Sequence, residues 1–176
     1  MNLFFRRLWI YLRASLSAKN TPLDNDFRLT FRVLLTDQDM FLHMTNSRYL
    51  SFSDLGGLNL FIRTGLWRAL KANGWSLEIA AQTRIIARML KSPQTFELVS
   101  TLDGWTDDYL ALGQCFQRGP MVHAEVKSLM RIVDSGGTQI KTQPLLDAIG
   151  ASGPSPDLPI GFSNLLETTE THKSAT

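Results

Sequence analysis

From residue 27 apolar and polar side chains alternate: Phe27, Leu29, Phe31, Val33 and Leu35 share one parity, and Arg28, Thr30 and Arg32 take the other. A period of two predicts a half-buried strand over 27–35. The pattern then changes. YLSFSDLGGLNLFIRTGLWRALKANG places apolar groups three and four residues apart and ends at Gly74, which predicts a long helix followed by a shorter one. Asn46 or Ser47 suits the N-cap. Gly56 and Gly57 fall mid-helix, a cost in stability unless their missing side chains let the helix close onto a sheet. After Gly74 the alternation returns in four runs, 75–90, 95–105, 109–117 and 121–133. Short connections such as Ser92-Pro93 and Arg118-Gly119-Pro120 make these runs consecutive antiparallel neighbours. Strand, long helix and four strands are an α+β arrangement, in which the helix is covered by the concave face of a twisted five-stranded antiparallel sheet.

Both ends differ from this body. Residues 1–23 form a basic amphipathic helix in which Arg6 and Arg13 share a sector away from Leu8, Leu12 and Leu16. Arg6 and Arg7 interrupt the apolar run, so it does not read as a secretory signal. It either lies in a membrane interface, with Trp9 and Tyr11 at headgroup depth, or packs on its own domain or a neighbouring subunit. A short helix at 144–149 closes the central domain, taken as 24–150. From 151 the chain turns rich in Pro, Gly, Ser and Thr and reads as a flexible tail, 151–176.

With 176 residues and 44% apolar content, the chain suits one well-buried domain. A single cysteine excludes an internal disulfide and any zinc site of paired cysteines. No apolar run approaches the roughly 20 residues of a membrane span. The net charge of +2 is unevenly spread: +4 over 1–23, zero over 24–150 and −2 beyond. A neutral body argues against nucleic acid as a partner. The composition suits a cytoplasmic protein, at the inner membrane surface if the N-terminal helix lies in lipid.

The densest set of reactive side chains lies between the first strand and the long helix, TDQDMFLHMTNSRY over 36–49. This stretch resembles the hotdog thioesterases, whose pattern here is D-x-D, a histidine four residues after the second aspartate, asparagines at six and seven, and a tyrosine at ten. The chain presents Asp37, Asp39, His43, Asn46 and Tyr49, with Thr45 at the first asparagine position. It is identified as a member of that 4-hydroxybenzoyl-CoA thioesterase-like family, closest to the thioesterase superfamily member six branch. The LxxxGL-like stretch at 61–66 and the run Gly104-Trp105-Thr106-Asp107-Asp108 carry the same likeness.

The resemblance implies a hotdog fold and hydrolysis of acyl-CoA thioesters, fatty acyl groups among them, with no cofactor beyond the coenzyme A of the substrate and no metal. It makes Asp39 a buried catalytic carboxylate beneath the first helical turn, either activating water or attacking the acyl carbon, with general-base hydrolysis preferred. The Asn46 backbone N–H would face the thioester oxygen at the positive end of the helix, and His43 would orient Asp39 or the water. Arg48 is a surface residue that could meet a substrate phosphate, and Tyr49 is a substrate-side or packing residue on the first helical turn. Asp37 reads as a solvated cap, and His123 as an exposed strand residue. Arg84, Arg88 and Arg131 could meet coenzyme A phosphates but suit solvated faces better. Phe52, Leu55, Leu58 and Phe61 would line an acyl pocket or fill the core. The resemblance further implies a homodimer or dimer of dimers. The alternative function is a non-catalytic acyl-CoA or lipid-binding hotdog protein at a membrane surface, with a hydratase ranked third.

Overall fold

The computed structural model describes residues 2–16, 21–151 and 153–174. Residues 17–20, included in the predicted N-terminal helix, lie outside the described residues. The elements follow as α1 (Asn2–Leu16), β1 (Phe27–Arg32), a 3-10 turn at Leu35–Asp37, α2 (Asn46–Thr64), α3 (Leu66–Asn73), β2 (Ser76–Ile86), β3 (Thr95–Trp105), β4 (Leu110–Arg118), β5 (Met121–Val133), β6 (Gln139–Ile140), α4 (Thr142–Ala148) and α5 (Ile160–Ser174). The alternating residues of β1 are buried and exposed in turn, as a strand with one face on a core requires.

The sheet runs β1-β3-β4-β5-β2, antiparallel throughout, with β6 added to one end of β5. The expected adjacency of the second and third strands is therefore wrong, because β2 pairs with β5 and β3 pairs with β1. Alternation tells which side chains face inward but not which strand lies beside which. The segment 87–94 is a crossing rather than a turn. It runs beneath the start of α2, where Leu90 is buried, its C=O accepts the Met44 N–H at 2.6 Å, and its N–H donates to the Tyr49 hydroxyl at 2.9 Å. Consequently β2 is left as a free edge of the sheet.

Helix α2 packs on β1, β3 and β4 of the sheet and against α1 on its other side. Its seat depends on Gly56. A Cβ there would collide with Ser100 Oγ and come within 2.8 Å of Gln114 Nε2 and Leu98 Cδ2, so the missing side chain allows close approach of helix to sheet. Around this seat Phe31, Tyr49, Phe52, Phe96 and Phe116 form an aromatic cluster with ring centroids 4.9–5.8 Å apart. Each such side chain contributes about 1.5–3 kcal/mol by leaving water.

The C-terminal segment is not the loose tail that its composition suggested. Residues 153–158 cross the end of β3, where the Trp105 N–H donates to Ser155 Oγ at 2.8 Å. Gly104, at φ 154°, leaves room for that crossing. Helix α5 then sets Phe162, fully buried, against Tyr109, Ala111 and Leu129, with Lys127 Nζ 5.7 Å from the ring centroid. Phe162, with Leu165 and Leu166 packed beside it, escapes a reading based on average composition because the rest of the helix is mostly polar.

Candidate functional site

The stretch between β1 and α2 is built on Asp37. Its carboxylate is fully buried, accepts the Leu34 N–H at 2.9 Å, and meets Arg6 of α1 at 3.0 Å and Arg48 of α2 at 3.4 Å. The Asp37 carbonyl accepts the Thr45 N–H at 2.9 Å. Asp37 is thus a buried anchor rather than a solvated cap. The two arginines stabilise its charge away from water, and the ordered backbone sets where α2 begins. Arg48 correspondingly is held in place at the surface rather than free. It is half-buried on Asp37 and also donates to the Thr36 carbonyl at 3.3 Å.

Residues 38–44 form a small hairpin closed by the Gln38–Met44 bridge. Asp39 sits at its turn. The Asp39 N–H donates to the His43 carbonyl, and Asp39 Oδ1 accepts the N–H groups of Phe41 at 2.9 Å and His43 at 3.2 Å. The expectation of a buried Asp39 is not met, because the side chain is exposed in this chain. An Asx-type turn consumes one carboxylate oxygen and turns the other outward. Met40, Phe41 and Leu42 at the hairpin tip are exposed as well, and His43 is half-exposed.

Helix α2 begins one residue earlier than the sequence indicated. Thr45 is the N-cap, in extended conformation, and no side chain caps the helix; Thr45 Oγ1 instead meets Ser47 Oγ at 3.2 Å. Asn46, first in the helix, keeps an N–H at an end of partial positive charge with no acid in the first turn to neutralise it. Its C=O accepts a hydrogen bond from Arg84 of β2 at 2.7 Å, which ties the helix start to the free sheet edge. Tyr49 is fully buried, with its ring 5.2 Å from Phe116; burial raises its pKa, and the hydroxyl accepts the Leu90 N–H. Its surroundings are those of a packing residue. Arg131 pairs with Glu78 at 2.8 Å on an exposed strand face. His123 is buried, not exposed, with Nδ1 3.2 Å from the Arg88 carbonyl. Among the described residues no cluster of His, Cys, Asp or Glu could hold a metal ion.

Because α2 covers the β1 side of the sheet, the concave face near β5 and β2 stays open. There lies a cavity of about 670 Å³, within the range of small-molecule sites. Leu55, Leu58 and Phe61 line it, as do Trp67, Leu77 and Met130; Phe52, by contrast, is core. Ser47, Ser51, Asp54, Leu58 and Phe61 recur at three- and four-residue spacing along α2 and so form one stripe, running from the uncapped start of the helix into the cavity. Among the described residues Asp54 is the sole acidic side chain on the cavity wall. Although partly open to solvent, it has enough protein around it that burial raises its pKa, opposed by nearby Arg7. The sequence reading missed it because an acid between Ser53 and Leu55 looks like an ordinary exposed helix position. Its i+7 spacing from Ser47 was the available signal.

The thioesterase-like superfamily model matches residues 33–153. Protein THEM6 of Xenopus laevis is 32% identical over 113 residues, which are 64% of this chain and 55% of that protein; the chain thus matches little more than half the length of this relative. Among solved structures, the probable thioesterase YbaW from Escherichia coli superposes with a TM-score of 0.64 at 16% identity, covering 71% of this chain and 97% of that one. The putative oleoyl thioesterase from Lactobacillus plantarum gives 0.67 at 12% identity, covering 77% of this chain and 54% of that one. The fold is the hotdog these structures share. A helix wrapped by an antiparallel sheet, a D-x-D turn leading into that helix and a family match over most of the chain place this protein in the thioesterase-like superfamily.

Proposed function

We propose that the protein hydrolyses acyl-CoA thioesters, with the acyl group in the cavity and the thioester carbonyl at the start of α2. The observation that carries this reading is the stripe from Ser47 to Phe61, which joins an uncapped helix N-terminus to an apolar cavity. A thioester needs little else. Its thiol departs readily, since a free thiol has a pKa of about 8.5, and the charge developing on the carbonyl oxygen would be met by the Asn46 N–H.

Two carboxylates compete for the role of base. Eight residues separate Asn46 from Asp54, roughly 12 Å along the helix axis, too far for both to serve one carbonyl in the same chain. Asp39 precedes Asn46 by seven residues in the hairpin that leads into α2, so the reading assigns it the water, with His43 beside it. Asp39 is exposed in the isolated chain, and the reading therefore needs a cover. The free β2 edge supplies a place for one: Ile79 and Ile85 are exposed on it, and Arg84 links it to Asn46. A second copy paired along β2 would exclude bulk solvent from around Asp39 and the one water that reacts.

The exposed Asp39 favours one rival, a protein that binds acyl-CoA without turnover. Thiol release across a series of acyl-CoA chain lengths, run beside calorimetric binding of the same compounds, separates the two. Release at a rate proportional to protein supports hydrolysis. Tight binding with no release from any member of the series replaces it with the binding protein.

A further inference from the structure

Helix α1 is turned so that Arg6, Ile10 and Ala14 face the domain and most of its large apolar side chains face out. Arg6 reaches inward to buried Asp37 and lies 4.9 Å over the Phe52 ring, and Ile10 and Ala14 are buried beside it. On the outside Phe4, Phe5, Leu8, Trp9, Leu12 and Leu16 are all exposed, Phe5 to 72% and Leu16 to 88%. At 100° per residue this face spans an arc of about 160°, from Tyr11 to Trp9, interrupted only by Ser15. Arg7 lies about 40° beyond one margin and Arg13 about 40° beyond the other. A helix packed only on its own domain turns its apolar side inward. This one turns Arg6 inward with Ile10 and Ala14 and leaves its larger apolar side chains outside.

We propose that this face of α1 lies in the surface of an anionic bilayer, which sets the cavity mouth against the lipid and lets acyl groups dissolved in the membrane enter from there. Charge decides the occupant. Residues 1–23 carry +4 and no acid, so a second copy laid on this face would oppose arginine to arginine, whereas anionic headgroups complement both margins. Arginines at the margins of an apolar arc can bury their stems and raise their guanidinium groups to the phosphates. Trp9 and Tyr11 suit headgroup depth. No described helix is long and apolar enough to cross a membrane, so contact through α1 is contact in the plane of the surface. The link to the cavity is local: Phe4 and Arg7 belong to its wall, and Arg7 is the charge facing Asp54. This second half rests on the cavity being the acyl site, whereas the docking half does not.

The test sediments the full chain with vesicles of neutral phosphatidylcholine, and with vesicles in which a third of the lipid is phosphatidylglycerol. It is repeated with the double variant Phe5→Glu/Leu12→Glu, whose sites are exposed and lie outside the cavity wall. Binding to anionic vesicles should exceed binding to neutral ones by about tenfold or more, fall at high salt, and be lost in the double variant. Urea unfolding of the variant should match wild type. Equal partitioning onto both vesicles, or an unchanged variant, overturns docking. So does a double variant that changes oligomeric state in light scattering while neither form binds lipid, because the face is then a contact between copies. Delivery is read separately. Long-chain acyl-CoA held in anionic vesicles should turn over several-fold faster with wild type than with the double variant, while a short, soluble acyl-CoA is hydrolysed equally by both. Equal rates on both substrates overturn delivery, and absence of any hydrolysis removes the enzymatic reading while the sedimentation result stands.

Discussion

Replacing Asp37 with asparagine removes a fully buried negative charge that Arg6 and Arg48 share. Two partly buried guanidinium groups then lack their counter-charge. The expected cost is about 3 kcal/mol, read as a lower midpoint in urea unfolding, and Asp39→Asn in the exposed turn should stay within about 1 kcal/mol of wild type. Equal effects at the two positions would contradict the anchor role of Asp37. Asp54 yields a prediction in pH. Burial raises its pKa above the ordinary 3.8, so just above that value the folded chain holds a proton the unfolded chain has released. Stability therefore falls as pH rises through the interval between the ordinary and the raised value, and the loss persists at neutral pH. Asp54→Asn should unfold at higher urea than wild type at neutral pH, with the difference vanishing below the carboxylate range. The motif was legible residue by residue, but the division of labour within it was not. D-x-D says that two carboxylates lie near a turn, and it is the partners of Asp37, Arg48 and the distant Arg6, that mark which one is buried.

At the scale of elements, the alternation over 27–35 and the four later runs foretold β1 to β5, and Gly56 foretold the close seat of α2 on the sheet. Strand order was not legible. The crossing at 87–94 depends on Met44 and Tyr49 holding Leu90 beneath the start of α2, contacts between segments more than 40 residues apart for Tyr49. Helix α5 was hidden for a related reason, since its docking rests on Phe162, with Leu165 and Leu166 beside it, in a run otherwise mostly small and polar. Phe162→Ala should remove about 3 kcal/mol of that docking. Hydrogen exchange would then show amides of Ile160–Ser174 losing protection while β4 and β5 keep theirs. Unchanged exchange would mean that α5 does not depend on its aromatic anchor.

Across the whole molecule the free β2 edge, the outward hairpin of Asp39 and the open cavity lie on connected ground, linked by Arg84 and by the stripe along α2. A second copy on β2 would cover an edge that otherwise invites pairing. Ile85→Lys places a charge on that edge without touching the cavity wall. It should shift the protein toward monomer in light scattering and reduce thiol release in proportion, whereas a monomer with full activity would remove the need for a partner. The most direct measurement is thiol release from an acyl-CoA that wild type turns over, compared among wild type, Asp39→Asn and Asp54→Asn at matched stability. The account predicts a loss of about a hundredfold or more for Asp39→Asn and a much smaller change for Asp54→Asn. Wild-type rates in Asp39→Asn, or the large loss at Asp54 instead, would contradict it.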